Sequence, residues 1–251
     1  EQSGANERAL KEYDALARIT KVTDKAGGVT LYEYDLADKV KKVTDPRGAV
    51  TTYVFDGFGQ LWRQSSPDSG VINHVYSSGG LHTRTTRADG VIVDYAHDSA
   101  GRVTMATAAG STQNFSYDSC ANGKGKICVI SDSNGSMSWS YSPEGRVLSQ
   151  QQTIGSSPIA FGHAYVYDSL GRLVGVSYPG GVSVGYAYVS GRLSAMAARI
   201  SGVDHKIVSS IAYQPFGGAK AWSYGNGVLR STIHDTDGRL IQMNLNRSGA
   251  M

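Results

Sequence analysis

Several residues in this chain have the types and spacing to do chemistry, and each is weighed against its surroundings. Ser183 lies in Gly181-Val182-Ser183-Val184-Gly185, the spacing of a nucleophile elbow, which places a serine on a sharp strand-to-helix turn. Its flanks, Pro179-Gly180-Gly181 and the tyrosines Tyr186 and Tyr188, read as turn and alternating strand, so no elbow is expected. The histidines His74, His82, His97, His163, His205 and His234 are scattered, with no HExxH pattern and no carboxylate at a helical spacing. Asp132-Ser133-Asn134-Gly135 and Asp235-Thr236-Asp237-Gly238 resemble the opening of a calcium loop. Neither has the glutamate that closes such a loop, and both read as turns. Asn122-Gly123-Lys124-Gly125-Lys126 is too short for a phosphate-binding loop and reads as a hairpin tip. Cys120 and Cys128 flank that tip. Two thiols make a poor metal site, which leaves a disulfide and a pair of buried thiols both open. No catalytic, cofactor-binding or metal-ligating residue is assigned, and no cofactor is expected.

The elements that would position these residues follow from a repeat. An aromatic, then Asp, then Gly with Arg or Lys and an aliphatic recur at Tyr13-Asp14 with Arg18-Ile19, Tyr34-Asp35 with Lys39-Val40, and Phe55-Asp56 with Gly59 and Leu61. The steps, 34 minus 13 and 55 minus 34, are both 21. The same register continues through Tyr76 and His97, and after Tyr117 the spacing stretches, to 24 at Tyr141 and 26 at Tyr167, before further copies at Tyr188, Tyr213 and His234, which gives eleven copies, some degraded. A second turn signal lies between copies, as in Thr23-Asp24 with Gly27-Gly28, Asp45-Pro46-Arg47-Gly48, Pro67-Asp68-Ser69-Gly70 and Ala88-Asp89-Gly90. Asp, Pro, Asn and Gly there supply the fixed φ and the positive φ of tight turns. Between turns the chain alternates, as in Val50-Thr51-Thr52-Tyr53-Val54-Phe55, so one repeat is one β-hairpin.

A hairpin cannot bury its apolar face alone. The expected architecture is therefore all-β, with tandem hairpins joined into one long curved antiparallel sheet, an open arc or part of a spiral shell. A lead-in covers residues 1–12, with a short helix at 6–13 as its one helical candidate, the repeats run from 13 to 245, and a tail covers 246–251. The motif Asp should accept backbone N–H bonds in its turn, Gly should take the left-handed position, and Arg or Lys should lie along the sheet or pair with an acid. The tyrosines should stack in rows on one face, a structural ladder whose alternative use is a platform for sugars.

Composition agrees with that architecture: 31 Gly, 15 Tyr and only 18% charged residues, against a usual share of about 25%. The net charge of +3 is spread without a basic block, so no nucleic-acid partner is expected. No stretch approaches the roughly 20 apolar residues of a membrane-spanning helix. Starting at Glu1 rather than Met, the chain is read as a fragment or processed product, so the lack of an export signal carries no weight.

The joined pattern, above all Thr44-Asp45-Pro46-Arg47-Gly48 through Tyr53 and Phe55-Asp56, resembles the YD repeats of RHS proteins. That family includes Rhs polymorphic toxins, the B and C components of insecticidal toxin complexes, wall-associated proteins and teneurins. The resemblance implies a non-enzymatic scaffold from a secreted or surface-displayed bacterial protein. Its expected partners are neighbouring repeats or domains of the parent and an encapsulated C-terminal toxin. A carbohydrate-binding module using Trp62, Trp139 and Trp222 is the alternative, with glycans as partners. The family's self-cleaving segment has only a partial match at Asp45-Pro46-Arg47-Gly48, because Val40 and Ala49 stand where Pro and Leu are needed. That stretch is expected to be an ordinary turn.

Overall fold

The computed structural model describes residues 9–155, 160–215 and 217–247. Among the described residues are 22 β-strands and one short 3-10 turn, Pro179–Gly181. The fold is all-β, as the alternation and turn chemistry require. Most of the expected lead-in, residues 1–8, and most of the expected tail lie outside the described residues.

The chain divides into two units, Glu1–Asn114 and Phe115–Met251. In the first, strands from Leu10–Tyr13 to Val103–Ala108 each pair antiparallel with their sequence neighbours. In the second the same holds from Ile127–Asp132 to Leu240–Arg247. The helix expected near residues 6–13 is corrected where it is described. Leu10–Tyr13 is a strand paired with Ile19–Thr23, because a tight turn at residues 14–18 closes a hairpin at once. An isolated helical turn has no such partner and nucleates poorly.

Two kinds of hairpin alternate. Both use one turn geometry: Asp14 N–H donates to the Arg18 carbonyl and Ala17 N–H to the Asp14 carbonyl, and Asp24 does the same with Gly28 and Gly27. The difference is a bulge. After the motif turns the register slips, between Glu12 and Tyr13, Val54 and Phe55, Val75 and Tyr76, and Val166 and Tyr167. The intervening hairpins run without a slip in Lys21↔Leu31, Lys42↔Thr52, Arg63↔Asn73 and Arg84↔Asp94. One extra residue therefore enters per motif hairpin, and it resets which face the following side chains occupy.

The two faces of the strands differ in chemistry. One carries directly opposed ion pairs: Glu12 with Lys21 and Glu33 with Lys42, each at 2.8 Å, and Arg84 with Asp94. The other carries Tyr32 opposite Val43, Tyr53 opposite Gln64, His74 opposite Thr85, and Tyr95 opposite Ala106. Burial is shallow. Among the described residues only Val93, Gly123, Cys128, Tyr141, Ser142 and Val176 are buried, and contacts between strands run from neighbour to neighbour.

Candidate functional site

The site that the fold builds repeatedly is a joint between consecutive hairpins. Asp14 holds its own turn: Oδ1 accepts the N–H groups of Leu16 and Arg18, both at 2.9 Å, and Oδ2 accepts Arg18 Nε at 2.7 Å. Arg18, fixed in this way, lies over the Tyr34 ring, 4.6 Å from its centroid. Tyr34 in turn donates its hydroxyl to the Ile19 carbonyl at 2.7 Å. The phenol of one repeat thus fastens to the backbone of the repeat before it, beneath that repeat's cation.

The same joint recurs. Tyr76 donates to Leu61, Tyr141 to Ile127, Tyr167 to Val147, Tyr188 to Leu173 and Tyr213 to Leu193, at 2.7–3.0 Å. Lys126, Arg146, Arg172 and Arg192 lie over Tyr141, Tyr167, Tyr188 and Tyr213. Phe55 keeps the cation, Lys39 at 5.6 Å, but has no hydroxyl to donate. In place of the expected rows of stacked tyrosines, cations lie over Tyr34, Tyr141, Tyr167, Tyr188 and Tyr213, and Tyr76 packs on the His82 ring. At Arg18 and Arg172 the turn Asp fixes the basic side chain, and the ring's quadrupole attracts it.

Glycine is required twice over at the αL position of the motif. Gly59, Gly145 and Gly171 have φ of +75°, +82° and +80°, which a side chain adopts only at a cost. A Cβ at each would also stand 3.2, 3.1 and 2.2 Å from the preceding repeat's Lys39, Lys126 and Arg146. Ala17 and Asp38 hold the same backbone at +60° and +61°. Asp38 uses its side chain to pair with Arg18.

Four turn carboxylates, Asp14, Asp45, Asp98 and Asp168, are held below their ordinary range. For Asp98 and Asp168 the main cause is the backbone N–H donated by Arg102 and Arg172, with the guanidinium of the same residue adding to it. Asp14 is lowered in the same way by Arg18.

Between Tyr117 and Tyr141 the joint carries an insertion. Cys120 and Cys128 form a disulfide with Cα atoms 5.6 Å apart, which settles the open choice at these cysteines. Gly123 packs against both sulfurs, and a Cβ there would lie 2.4 and 2.6 Å from them. Gly125 N–H donates to Asp118 and Asn122 Nδ2 to the Tyr141 carbonyl. The segment is a cross-linked turn, and Lys126 and Tyr141 still make the joint.

The residues that suggested chemistry are placed as follows. Ser183 opens the strand Ser183–Val189, opposite Ser177 and Arg199, and not on a strand-to-helix turn. Asp132 and Asp235 accept turn N–H groups from Asn134 and Arg239. Asp45 accepts those of Arg47 and Ala49. Of the tryptophans only Trp62 is exposed, at 49%, and it lines a cleft of about 580 Å³ together with Phe58, which is 92% exposed. Trp139 and Trp222 are half-buried, the latter under Arg230 at 4.7 Å. Sequence spacing missed one grouping: His74 and His82 meet, Nδ1 to Nε2, at 3.2 Å.

Comparison with known proteins places this geometry. The family model RHS Repeat matches residues 13–46 and 34–71. No curated protein matches the chain. Among solved structures, a Tc holotoxin pore of Photorhabdus luminescens with a mutated TccC3 is 18% identical, with a TM-score of 0.81, over 96% of this chain. A TcdB2–TccC3 crystal structure is 19% identical with a TM-score of 0.82, also over 96%. The same pair without its hypervariable C-terminal region gives 19% and 0.81. These likenesses are of fold, and the chain spans 14% of the length of each of those proteins. The family model thus matches RHS repeats at residues 13–71, and the tyrosine joint of that stretch recurs beyond it to Tyr213.

Proposed function

We propose that this repeat sheet is a length of wall in a larger secreted or surface-displayed bacterial protein, one that encloses a C-terminal toxin and does no chemistry of its own. The observation that carries the reading is the joint. At Tyr141 and Tyr167 a hairpin is fastened to the repeat before it by a tyrosine hydroxyl, a stacked cation and a fitted glycine, and at Tyr34, Tyr188 and Tyr213 by the hydroxyl and the cation, while few described side chains are buried. Stability in such an array comes from neighbour interfaces, which suits a surface extended in one direction. The likeness to TcdB2–TccC3 over 14% of its length supports neighbouring repeats and domains as the partners. The test is protease protection of the segment that follows the repeats in the intact parent protein. Protection that is lost when Tyr167→Ala and Tyr188→Ala are combined supports a closed wall, whereas equal cleavage of both proteins overturns it.

A second reading, glycan binding, is favoured by Trp62 and Phe58 on one open cleft. Aromatic faces and a few polar groups are what a sugar would use there. Saturable binding to a cell-wall polysaccharide that Trp62→Ala abolishes would establish it, and no binding across a broad glycan panel would remove it.

A further inference from the structure

We propose that His74, His82 and Thr85 bind one divalent transition-metal ion of the imidazole-preferring kind, represented by Zn(II). His74 lies on the strand Gly70–Tyr76, and His82 and Thr85 lie on the strand His82–Thr86. Residues 82 and 85 are three apart and would face opposite ways in a regular strand. The register slip that pairs Tyr76 with His82 after Val75 with Arg84 turns His82 onto the face of Thr85 and His74. The pattern is invisible to spacing rules because a bulge creates it.

Three donor atoms converge there. His74 Nδ1 and His82 Nε2 are 3.2 Å apart, and Thr85 Oγ1 is 3.3 Å from the first and 3.1 Å from the second. Ligands about 2.0–2.1 Å from one ion, at tetrahedral to octahedral angles, are separated by about 2.9–3.4 Å. The triangle already has the dimensions of one face of a coordination shell.

Without an ion the triangle is closed by a relay, in which one ring N–H donates to Thr85 Oγ1 and the Thr85 hydroxyl donates to the other ring nitrogen. One cation between the two nitrogens uses both lone pairs, with His74 protonated on Nε2 and His82 on Nδ1, and no net proton is lost. His74 borders two clefts of about 580 and 480 Å³, the second lined by Thr85 as well.

The test is calorimetric titration of the purified chain with Zn(II) in a non-chelating buffer near neutral pH. The expected result is one ion per chain, with binding at least tenfold weaker in His74→Gln and His82→Gln and unchanged in His205→Gln. Absence of saturable binding, or equal binding by His82→Gln, overturns the proposal. A Cu(II) spectrum of the unmodified chain checks the site without any variant: paramagnetic coupling to two imidazole nitrogens supports it, and coupling to one or none overturns it.

Discussion

Arg146 occupies the space that Gly171 leaves open, with its Nη2 2.2 Å from where a Cβ on Gly171 would stand. Gly171→Ala must therefore do two things: hold an alanine at φ +80° and push the guanidinium off Tyr167. Gly238→Ala meets only the first, since a Cβ there has nothing within 4 Å. In denaturant titrations Gly238→Ala should cost about 1–2 kcal/mol and Gly171→Ala more. The excess should vanish when Arg146→Ala is added, the sign of a direct coupling.

The missing hydroxyl at Phe55 makes a paired experiment. Phe55→Tyr should gain a bond to the Val40 carbonyl and stabilise the chain by about 0.5–1.5 kcal/mol. Tyr188→Phe should lose its 2.9 Å bond to Leu173 and cost a similar amount. Opposite shifts in the urea midpoint check both.

Ala17 holds a left-handed backbone at φ +60° and is exposed. Ala17→Gly should raise stability by about 1 kcal/mol, visible as a higher thermal midpoint. A fall in the midpoint would show that the turn at residues 14–18 is not a strained one.

Reduction of the disulfide opens a short loop whose closure is worth about 2–3 kcal/mol on chain-entropy grounds. Hydrogen exchange should speed up at the turn and at Ile127, which accepts the Tyr141 hydroxyl. Gly123→Ala should hinder oxidation, because its Cβ would fall against both sulfurs. Thiol titration of the refolded variant measures that.

Acid should loosen the turns. Asp14, Asp98 and Asp168 have folded-state pKa values below the ordinary 3.8. Their contribution is thus fully present above that value and is lost as pH falls through the lower folded values. The share of stability that these three carboxylates supply should be flat from neutral pH down to about pH 5 and then decline. Replacing all three by Asn should flatten the acid limb.

What the sequence by itself determined was whatever is written within a few consecutive residues. The 21-residue period, the Asp-x-x-Gly turns and the alternation of Val50–Phe55 specify hairpins, because a turn's φ values and a strand's side-chain alternation are local. The role of Asp14 as a turn acceptor was legible for the same reason. The structure alone decided what depends on register. Arg18 reaches Tyr34, Arg146 fits against Gly171, Trp62 is exposed while Trp139 is half-buried, and His74 meets His82. The last of these turns on the single residue that a bulge inserts. One inserted residue moves a side chain to the opposite face, and no count of spacing along the chain can say where that happens.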